Sequence, residues 1–425
     1  MRPAACSGVL QLRTSIVLAL LWLLPGAALG GDIVIDGVPI PDDTKIVAAK
    51  SGAEERRFLG AWAGTWAGDH RHVLVVEEVR FGGHARVVSA VAEYAAFGAH
   101  AGWRRYYAKI SGDVLTVADG TVTTNYEITP LGALRARFER GDTRNNGKLW
   151  RVDLADLMAG SASIRWTDLT REFLETSLRD EGKPVRLEVV LFRPPGDGPF
   201  PLFVFNHGST GAGTDPKLFT ETRWSFAVAD YFVDRGWLVA FPQRRGRGKS
   251  EGLYDEGFEA DPTKGYTCNP ARALAGAERA LDDIEAAIGA LQKRPDVAKA
   301  TPLIGGASRG GILSVTYAGK HPEQSAGVIN FVGGWVGEGC STAREINGAL
   351  FRAGGNFHGP TLWLYGHRDF YYSMPHSRAN FHDFRRSGGQ GTFLEFEVPG
   401  PNGHALNAYP ELWAGHVGDF LRLLK

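Results

Sequence analysis

The residues of this chain best suited to chemistry are a serine, an aspartate and a histidine that follow one another in that order. Ser308 lies in Gly306-Ala307-Ser308-Arg309-Gly310, between a short apolar run that begins at Thr301-Pro302-Leu303-Ile304 and a helix expected to start near Arg309. The pentapeptide fits the G-x-S-x-G nucleophile elbow, a sharp strand-to-helix turn carrying one serine. Side chains two residues before or after that serine would collide with the neighbouring strand and helix, and glycine at both places removes them. Such a turn lifts the hydroxyl clear of the sheet edge. It also leaves the Arg309 amide at a helix N-terminus, aimed where negative charge would develop on an attacked carbonyl. Taken alone, the pentapeptide fits an ordinary loop equally well, so the reading rests on its partners.

A serine becomes a nucleophile at neutral pH only beside a base, and the base needs an acid to hold its tautomer. Asp369 stands just past the expected strand Thr361–Tyr365, in Gly366-His367-Arg368-Asp369. His404 stands in Pro399-Gly400-Pro401-Asn402-Gly403-His404, on the loop before the last helix. Both therefore come from the edge expected to carry Ser308. Glu338, after the preceding strand, is a rival acid; His367 and His358 lie off the loop before the final helix and make weaker bases. A second oxyanion donor is expected in Asn206-His207-Gly208-Ser209-Thr210-Gly211, where the Ser209 amide is the candidate and His207 orders the loop. Two long, glycine- and aromatic-rich stretches, 252–267 and 333–340, are suited to walling a pocket.

These residues need a frame, and the second half of the chain supplies one. Strands at Arg186–Phe192, Pro201–Phe205, Trp237–Phe241, Gly327–Val332, Thr361–Tyr365 and Thr392–Val398 alternate with helices. The longest helix opens on Asn269-Pro270, a cap followed by a first-turn proline. It carries Leu274, Ala277, Leu281, Ile284, Ile288 and Leu291 at helical spacing. Alternation of this kind builds a parallel sheet covered on both faces. The first half reads differently. After a polar, proline-containing lead-in from Gly31 to about Asp43, the stretches His72–Val79, Ala85–Tyr94, Trp103–Ile110, Val114–Ala118, Val122–Ile128 and Leu134–Glu139 are β-branched or aromatic and separated by glycine turns. They predict a small antiparallel barrel or sandwich, either packed solid or holding a small apolar ligand. Residues 31–155 are thus expected to form a β-rich accessory domain and 156–425 a catalytic one, with a linker-like stretch from Arg151 to Arg171.

The first thirty residues have the layout of a secretory signal peptide: Arg2 and Arg13, an apolar run Ile16–Leu24, a Pro25-Gly26 break and small residues at Ala28 and Gly30. The apolar run is too short to span a bilayer, so an exported, periplasmic or extracellular protein is expected. Cleavage would discard Cys6 and leave Cys268 and Cys340, which can pair in an oxidising compartment or remain separate thiols. Forty-seven basic residues balance forty-seven acidic ones, which gives no reason to expect nucleic acid or an anionic membrane as partner. His70 and His72 have the spacing of metal ligands but no nearby cysteine or carboxylate pair completes a site. Arg244, Arg245, Arg247 and Lys249 form a basic run that either attracts an anionic substrate or is paired within the domain.

The motifs His207-Gly208-Ser209-Thr210-Gly211, Gln243-Arg244-Arg245-Gly246-Arg247-Gly248-Lys249-Ser250-Glu251-Gly252, the serine elbow, Gly366-x-x-Asp369 and Gly403-His404 together resemble the dienelactone-hydrolase-like branch of the α/β-hydrolase superfamily, over about residues 185–425. The resemblance implies an eight-stranded, mostly parallel sheet and a Ser308, His404, Asp369 triad. Dienelactone hydrolases proper carry cysteine where this chain has Ser308, so the likeness is to the serine esterases and peptidases of the branch. The expectation is a serine hydrolase acting on a small-molecule carboxylic ester without metal or organic cofactor. A peptidase or aminoacyl amidase using the same triad, and a non-catalytic binding protein, are the alternatives.

Overall fold

The structure is a computed structural model that describes residues 31–424 apart from 50, 51, 53, 96, 97 and 142. The segment expected to be a signal peptide lies outside the described residues. The chain divides into two compact units between Thr167 and Asp168, so the stretch read as a linker is shared between them.

In the first unit, strands β1 (Asp32–Ile35) and β2 (Val38–Pro41) form a hairpin. Ile35 and Val38 face each other across Asp36-Gly37, both at positive φ, the two-residue turn that matches strand twist. The polar lead-in expected here is therefore a strand pair, and its Asp-Gly turn was the signal to find it. A closed eight-stranded antiparallel barrel follows: β3 (Gly60–Trp66), β4 (His70–Arg80), β5 (His84–Val91), β6 (Gly102–Ser111), β7 (Val114–Asp119), β8 (Val122–Ile128), β9 (Leu134–Arg140) and β10 (Thr143–Val152), with β10 pairing back onto β3. The two closing strands were not among the expected ones because they are rich in glycine, alanine and polar residues. Gly64 shows the reason for that composition: a Cβ there would lie 2.0 Å from the Lys148 carbonyl oxygen of the facing strand.

Eight strands leave an interior that side chains can fill. Trp62, Leu74, Val76, Val87, Leu115, Tyr126, Leu134 and Leu149 occupy it. The outer wall has a second apolar cluster in which Ile35, Val38 and Ile40 of the hairpin meet Val73, Val75 and Val88. His70 stacks on Tyr94, and His72 stacks on the interior residues Trp66 and Tyr126. Each gives a ring nitrogen to a backbone carbonyl at 2.9 Å, that of Ala92 and of Ala90 respectively, and the Tyr126 hydroxyl lies 3.0 Å from His72 Nε2. A short helix α1 (Leu154–Met158), capped by Asp153, belongs to the same unit.

The second unit holds eight strands: β11 (Leu169–Asp180), β12 (Lys183–Phe192), β13 (Leu202–Asn206), β14 (Leu238–Pro242), β15 (Leu303–Ala307), β16 (Gly327–Phe331), β17 (Thr361–Gly366) and β18 (Thr392–Phe396). Their order across the sheet is β11-β12-β14-β13-β15-β16-β17-β18. The β11–β12 and β12–β14 pairs are antiparallel and the other five neighbour pairs parallel. Every residue of β13, β14, β16 and β17 is buried, as a sheet covered on both faces requires. Six helices cover it: α2 (Phe226–Val233), α3 (Pro270–Leu291), α4 (Arg309–Lys320), α5 (Ala343–Gly354), α6 (Met374–Arg386) and α7 (Pro410–Arg422). In α3 the Asn269 side chain accepts the Arg272 N–H at 3.1 Å, and Ala277, Leu281, Ile284, Ile288 and Leu291 are buried. The edge strand β11 falls in and beyond the stretch expected as a linker. Its residues are mostly exposed or half-buried, so it lacks the apolar run that marks the inner strands. No helix among the described residues is long and apolar enough to cross a membrane.

Burial holds the His72 imidazole down at about 4, against 6.5 unperturbed, and also lowers His70. The unfolded chain therefore binds more protons than the folded barrel between pH 6.5 and 4, and folding stability falls as the pH drops through that window. For His72 the full loss is on the order of 3 kcal/mol. Denaturant titrations across that window should show the decline, and His72→Gln should flatten most of it; an unchanged slope would refute the assignment.

Candidate active site

Strand β15 runs into α4 through Ser308, whose backbone sits at φ 57°, ψ −123°. A left-handed serine of this kind costs roughly 1–3 kcal/mol and persists only where the surroundings over-determine it. They do so by close approach. A Cβ on Gly310 would lie 1.9 Å from the Asn206 carbonyl oxygen, and one on Gly306 would lie 2.5 Å from Gly310 and 2.6 Å from the same oxygen. With both side chains absent, α4 drops onto the end of β13. The Ser308 N–H donates to the Phe331 carbonyl at 3.0 Å, and its carbonyl accepts the Gly334 N–H at 3.2 Å. Val332 (φ 44°) and Arg368 (φ 61°) are the other positive-φ residues beyond β16 and β17. The strained non-glycine residues following β15, β16 and β17 thus gather at one sheet edge, where such conformations commonly mark function.

From this edge come the candidate acid and base, Asp369 and His404. His404 Nδ1 lies 2.8 Å from Asp369 Oδ2, with 1 % of the aspartate side chain exposed and 18 % of the histidine. The other Asp369 oxygen accepts the N–H groups of Tyr371 (2.8 Å) and Tyr372 (3.2 Å). Asn402 Oδ1 accepts the His404 N–H at 3.0 Å and so holds the histidine's loop. The carboxylate is thereby fixed on both oxygens, and its partner nitrogen must carry the proton, which leaves Nε2 as the basic position. The rivals are engaged elsewhere. Glu338 accepts from the Ser373 N–H and hydroxyl at the start of α6. His367 faces Glu395 at 3.4 Å, and His358 contacts the Gly388 carbonyl at 3.2 Å.

Two tyrosines that sequence spacing did not single out complete the surroundings of His404. The Tyr371 ring meets the imidazole edge-on at 4.7 Å between centroids, and the Tyr372 ring lies at 5.7 Å. Tyr372 is buried.

The loop after β13 passes beside Ser308: a Cβ on Gly208 would lie 3.2 Å from Ser308 Cβ and 3.7 Å from its Oγ. Two of the four residues of the basic run hold this loop. Arg244 donates to the His207 carbonyl at 2.9 Å and to the Gly208 carbonyl at 3.3 Å, and Arg247 reaches the latter at 3.4 Å. Arg245 pairs with Asp283 inside the unit, and Lys249 is exposed. His207 accepts the Arg244 N–H on Nε2 at 3.3 Å, and burial together with the Arg244 and Arg247 charges pushes its pKa well below the usual range. It is a neutral loop anchor. On the far side of Ser209, Thr210 bonds the Tyr266 hydroxyl through its N–H (3.2 Å) and its hydroxyl (2.7 Å). Ser209 thus sits between two anchored residues, and its own N–H has no hydrogen-bond partner among the described residues.

Glu256 joins this loop to the elbow. Its carboxylate pairs with Arg244 at 2.5 Å and with Arg309 at 3.2 Å, all three side chains being 3 % exposed. Arg309 also donates to the Trp335 carbonyl at 2.9 Å and lies over the Tyr266 and Trp335 rings at 3.5 and 4.2 Å. Burial pushes the Glu256 carboxyl up, but Arg244, Arg309 and Arg247 outweigh it and hold the pKa at about 2. Cys268 and Cys340 form a disulfide, and the Thr342 hydroxyl donates to the Cys268 carbonyl beside it.

A largely parallel sheet whose inner strand turns through a strained, glycine-flanked serine into a helix, with an aspartate and a histidine arriving later at the same edge, is the α/β-hydrolase fold, and the second unit has it. No family model and no curated protein matches the sequence. Among solved structures, the chain is similar to a predicted CIB-like hydrolase of Thermoplasma acidophilum (18% identity, 60% of this chain and 98% of the other, TM-score 0.39). It is also similar to an esterase of Pyrococcus furiosus (15%, 61% and 93%, TM-score 0.43). A third likeness is to a Klebsiella pneumoniae protein classed as a dienelactone hydrolase (16%, 60% and 98%, TM-score 0.39).

Removing one partner of a buried ion pair leaves charge uncompensated and costs roughly 3–5 kcal/mol. Glu256→Ala strands both Arg244 and Arg309, so chemical denaturation should show a loss of that size. A loss below about 1 kcal/mol would mean that the cluster does not hold the loop and the elbow together.

Proposed function

We propose that the protein is an exported serine hydrolase that cleaves a small-molecule carboxylic ester. The observation that carries the reading is the Asp369–His404 pair, 2.8 Å apart, at the edge where Ser308 turns on strained backbone. In this mechanism Ser308 Oγ attacks the ester carbonyl while His404 Nε2 takes its proton. Asp369 orients the ring and stabilises the imidazolium. The carbonyl π electrons move onto oxygen, where the amides of Ser209 and Arg309 receive the charge. Collapse of the intermediate expels the alcohol, protonated by His404, and leaves an acyl-serine. Water, deprotonated by the same histidine, attacks the acyl carbon, and the acid leaves as Ser308 regains its proton. Side chains and amides supply every step.

Export agrees with the layout of the first thirty residues and with a Cys268–Cys340 bridge, which suits an oxidising compartment. The filled barrel fits an accessory domain packed for structure or docking.

Purified mature protein should react with a fluorophosphonate and hydrolyse nitrophenyl esters, with both signals abolished by Ser308→Ala. His404→Ala should remove turnover to background. Asp369→Asn, which keeps the shape but holds the wrong tautomer, should lower kcat by about 10⁴-fold. Hydrolysis of aminoacyl amides without ester turnover would make the protein an amidase on the same triad. Folded protein that neither labels nor turns over any of these substrates would overturn the hydrolase reading.

A further inference from the structure

Tyr266 joins the two segments that carry the proposed oxyanion donors, Ser209 and Arg309. Its backbone N–H donates to the Ala212 carbonyl at 3.0 Å, and its hydroxyl meets both the N–H and the hydroxyl of Thr210, at 3.2 and 2.7 Å. The ring fits against Gly213, where a Cβ would lie 3.1 Å from two ring carbons, and carries the Arg309 guanidinium 3.5 Å from its centroid. One side chain therefore fixes the residue after Ser209 and packs on the residue after Ser308. The segment behind it is anchored in turn, by the Thr267 N–H on the Gly257 carbonyl at 2.9 Å and by the disulfide at Cys268.

The same hydroxyl belongs to a chain of hydrogen bonds whose direction is set at one end. The Tyr254 hydroxyl lies 3.2 Å from Glu256 Oε2 and contacts the Tyr266 hydroxyl, and Arg247 Nη1 donates to it at 3.4 Å. Against burial, its arginine neighbours keep Glu256 ionised, and an ionised carboxylate only accepts. The single Tyr254 proton therefore goes to Glu256. The proton between the two phenols must then come from Tyr266, which leaves Tyr266 only lone pairs for Thr210, so the threonine N–H and O–H both donate to it. Every donor in the chain points toward the buried acid, and each bond polarises the next.

We propose that Tyr266 and Tyr254 are positioning residues that tie the loop after β13 to Glu256 and so hold the Ser209 amide in register with the Arg309 amide. The inference rests on the serine-hydrolase reading and on those two amides as the donors. Neither phenol touches the reacting atoms, and neither transfers a proton. Their effect is on where the Ser209 N–H stands when charge develops on the carbonyl oxygen, and a displacement of about 1 Å there costs roughly 100-fold in rate. Neither tyrosine belongs to a motif: in a long aromatic stretch both read simply as pocket wall.

Tyr266→Phe keeps the ring on Arg309 and Gly213 and removes only the hydroxyl. On one nitrophenyl ester, kcat should fall roughly 10- to 100-fold with KM little changed. A phenyl trifluoromethyl ketone supplies the second reading. Ser308 Oγ adds to it with loss of its proton to His404, leaving the former carbonyl oxygen negatively charged on the same two amides, so its affinity should fall by the same factor as kcat/KM. Tyr254→Phe should act in the same direction, and the double variant should be no worse than Tyr266→Phe alone, since the chain is then already cut. Thermal melting follows the fold of each variant. Should Tyr266→Phe not fold, Thr210→Val removes one bond to the phenol without disturbing the ring, and should lower kcat and ketone affinity together by roughly 5-fold. Unchanged ketone affinity, or a fall in kcat that the ketone does not follow, overturns the proposal, as does multiplication of the two tyrosine losses in the double variant. Unaltered protein that neither hydrolyses the ester nor binds the ketone would refute the serine-hydrolase reading and this inference with it. Variants as active as the unaltered enzyme would overturn the inference alone.

Discussion

Ser308 can stand where it does only because α4 approaches β13 more closely than any side chain permits. The Asn206 carbonyl oxygen occupies the space in which a Cβ of Gly306 or Gly310 would sit, and the Ser308 amide is tied to Phe331 on the next strand. The strain of the serine backbone is thus offset by contacts from three elements rather than by anything local. The rest of the edge follows from that contact. Gly208 passes beside the serine, Gly334, on the loop bent at Val332, bonds its carbonyl, and Asp369 and His404 arrive on loops bent at Arg368 and braced by Asn402 respectively.

A second constraint acts beneath the first. Charges removed from water are tolerated only when paired and hydrogen-bonded, and Glu256 with Arg244 and Arg309 satisfies that condition through two carboxylate–guanidinium pairs and several backbone carbonyls. Because Arg244 also binds the His207 and Gly208 carbonyls, the cost of exposing the cluster opposes any drift of the loop that carries Ser209. The aromatic faces of Tyr266 and Trp335 over Arg309 add to that resistance. Geometry at the elbow and geometry at the loop are therefore coupled through one buried acid, which neither motif contains.

The two units reach stability by different routes. In the barrel, inward side chains fill the interior and the hairpin covers part of the wall, so even His72 is neutral and satisfied. The α/β unit instead buries both faces of its central strands and leaves its irregular, strained backbone at one edge. Chemistry is concentrated where packing is least regular, as is usual when loops are carried on a rigid sheet.

Much of this was legible before any coordinates. Apolar period marked the inner strands and α3, Asn269-Pro270 marked that helix's start, and paired glycines marked the elbow, because each signal is local and arises from the backbone's own sterics. Strand β11 was not legible, since an edge strand needs no apolar run, and β3 and β10 were hidden by the small residues that let them close the barrel. Local sequence also determined which residue types could do chemistry: a strained serine, an acid after one strand, a histidine before the last helix. Only the tertiary structure decided that Asp369 rather than Glu338 faces His404, that Arg244 and Arg247 hold a loop, and that Tyr371 and Tyr372 lie beside His404. Those choices depend on distances between segments tens of residues apart. They are settled by how loops pack on one another, which no local pattern encodes.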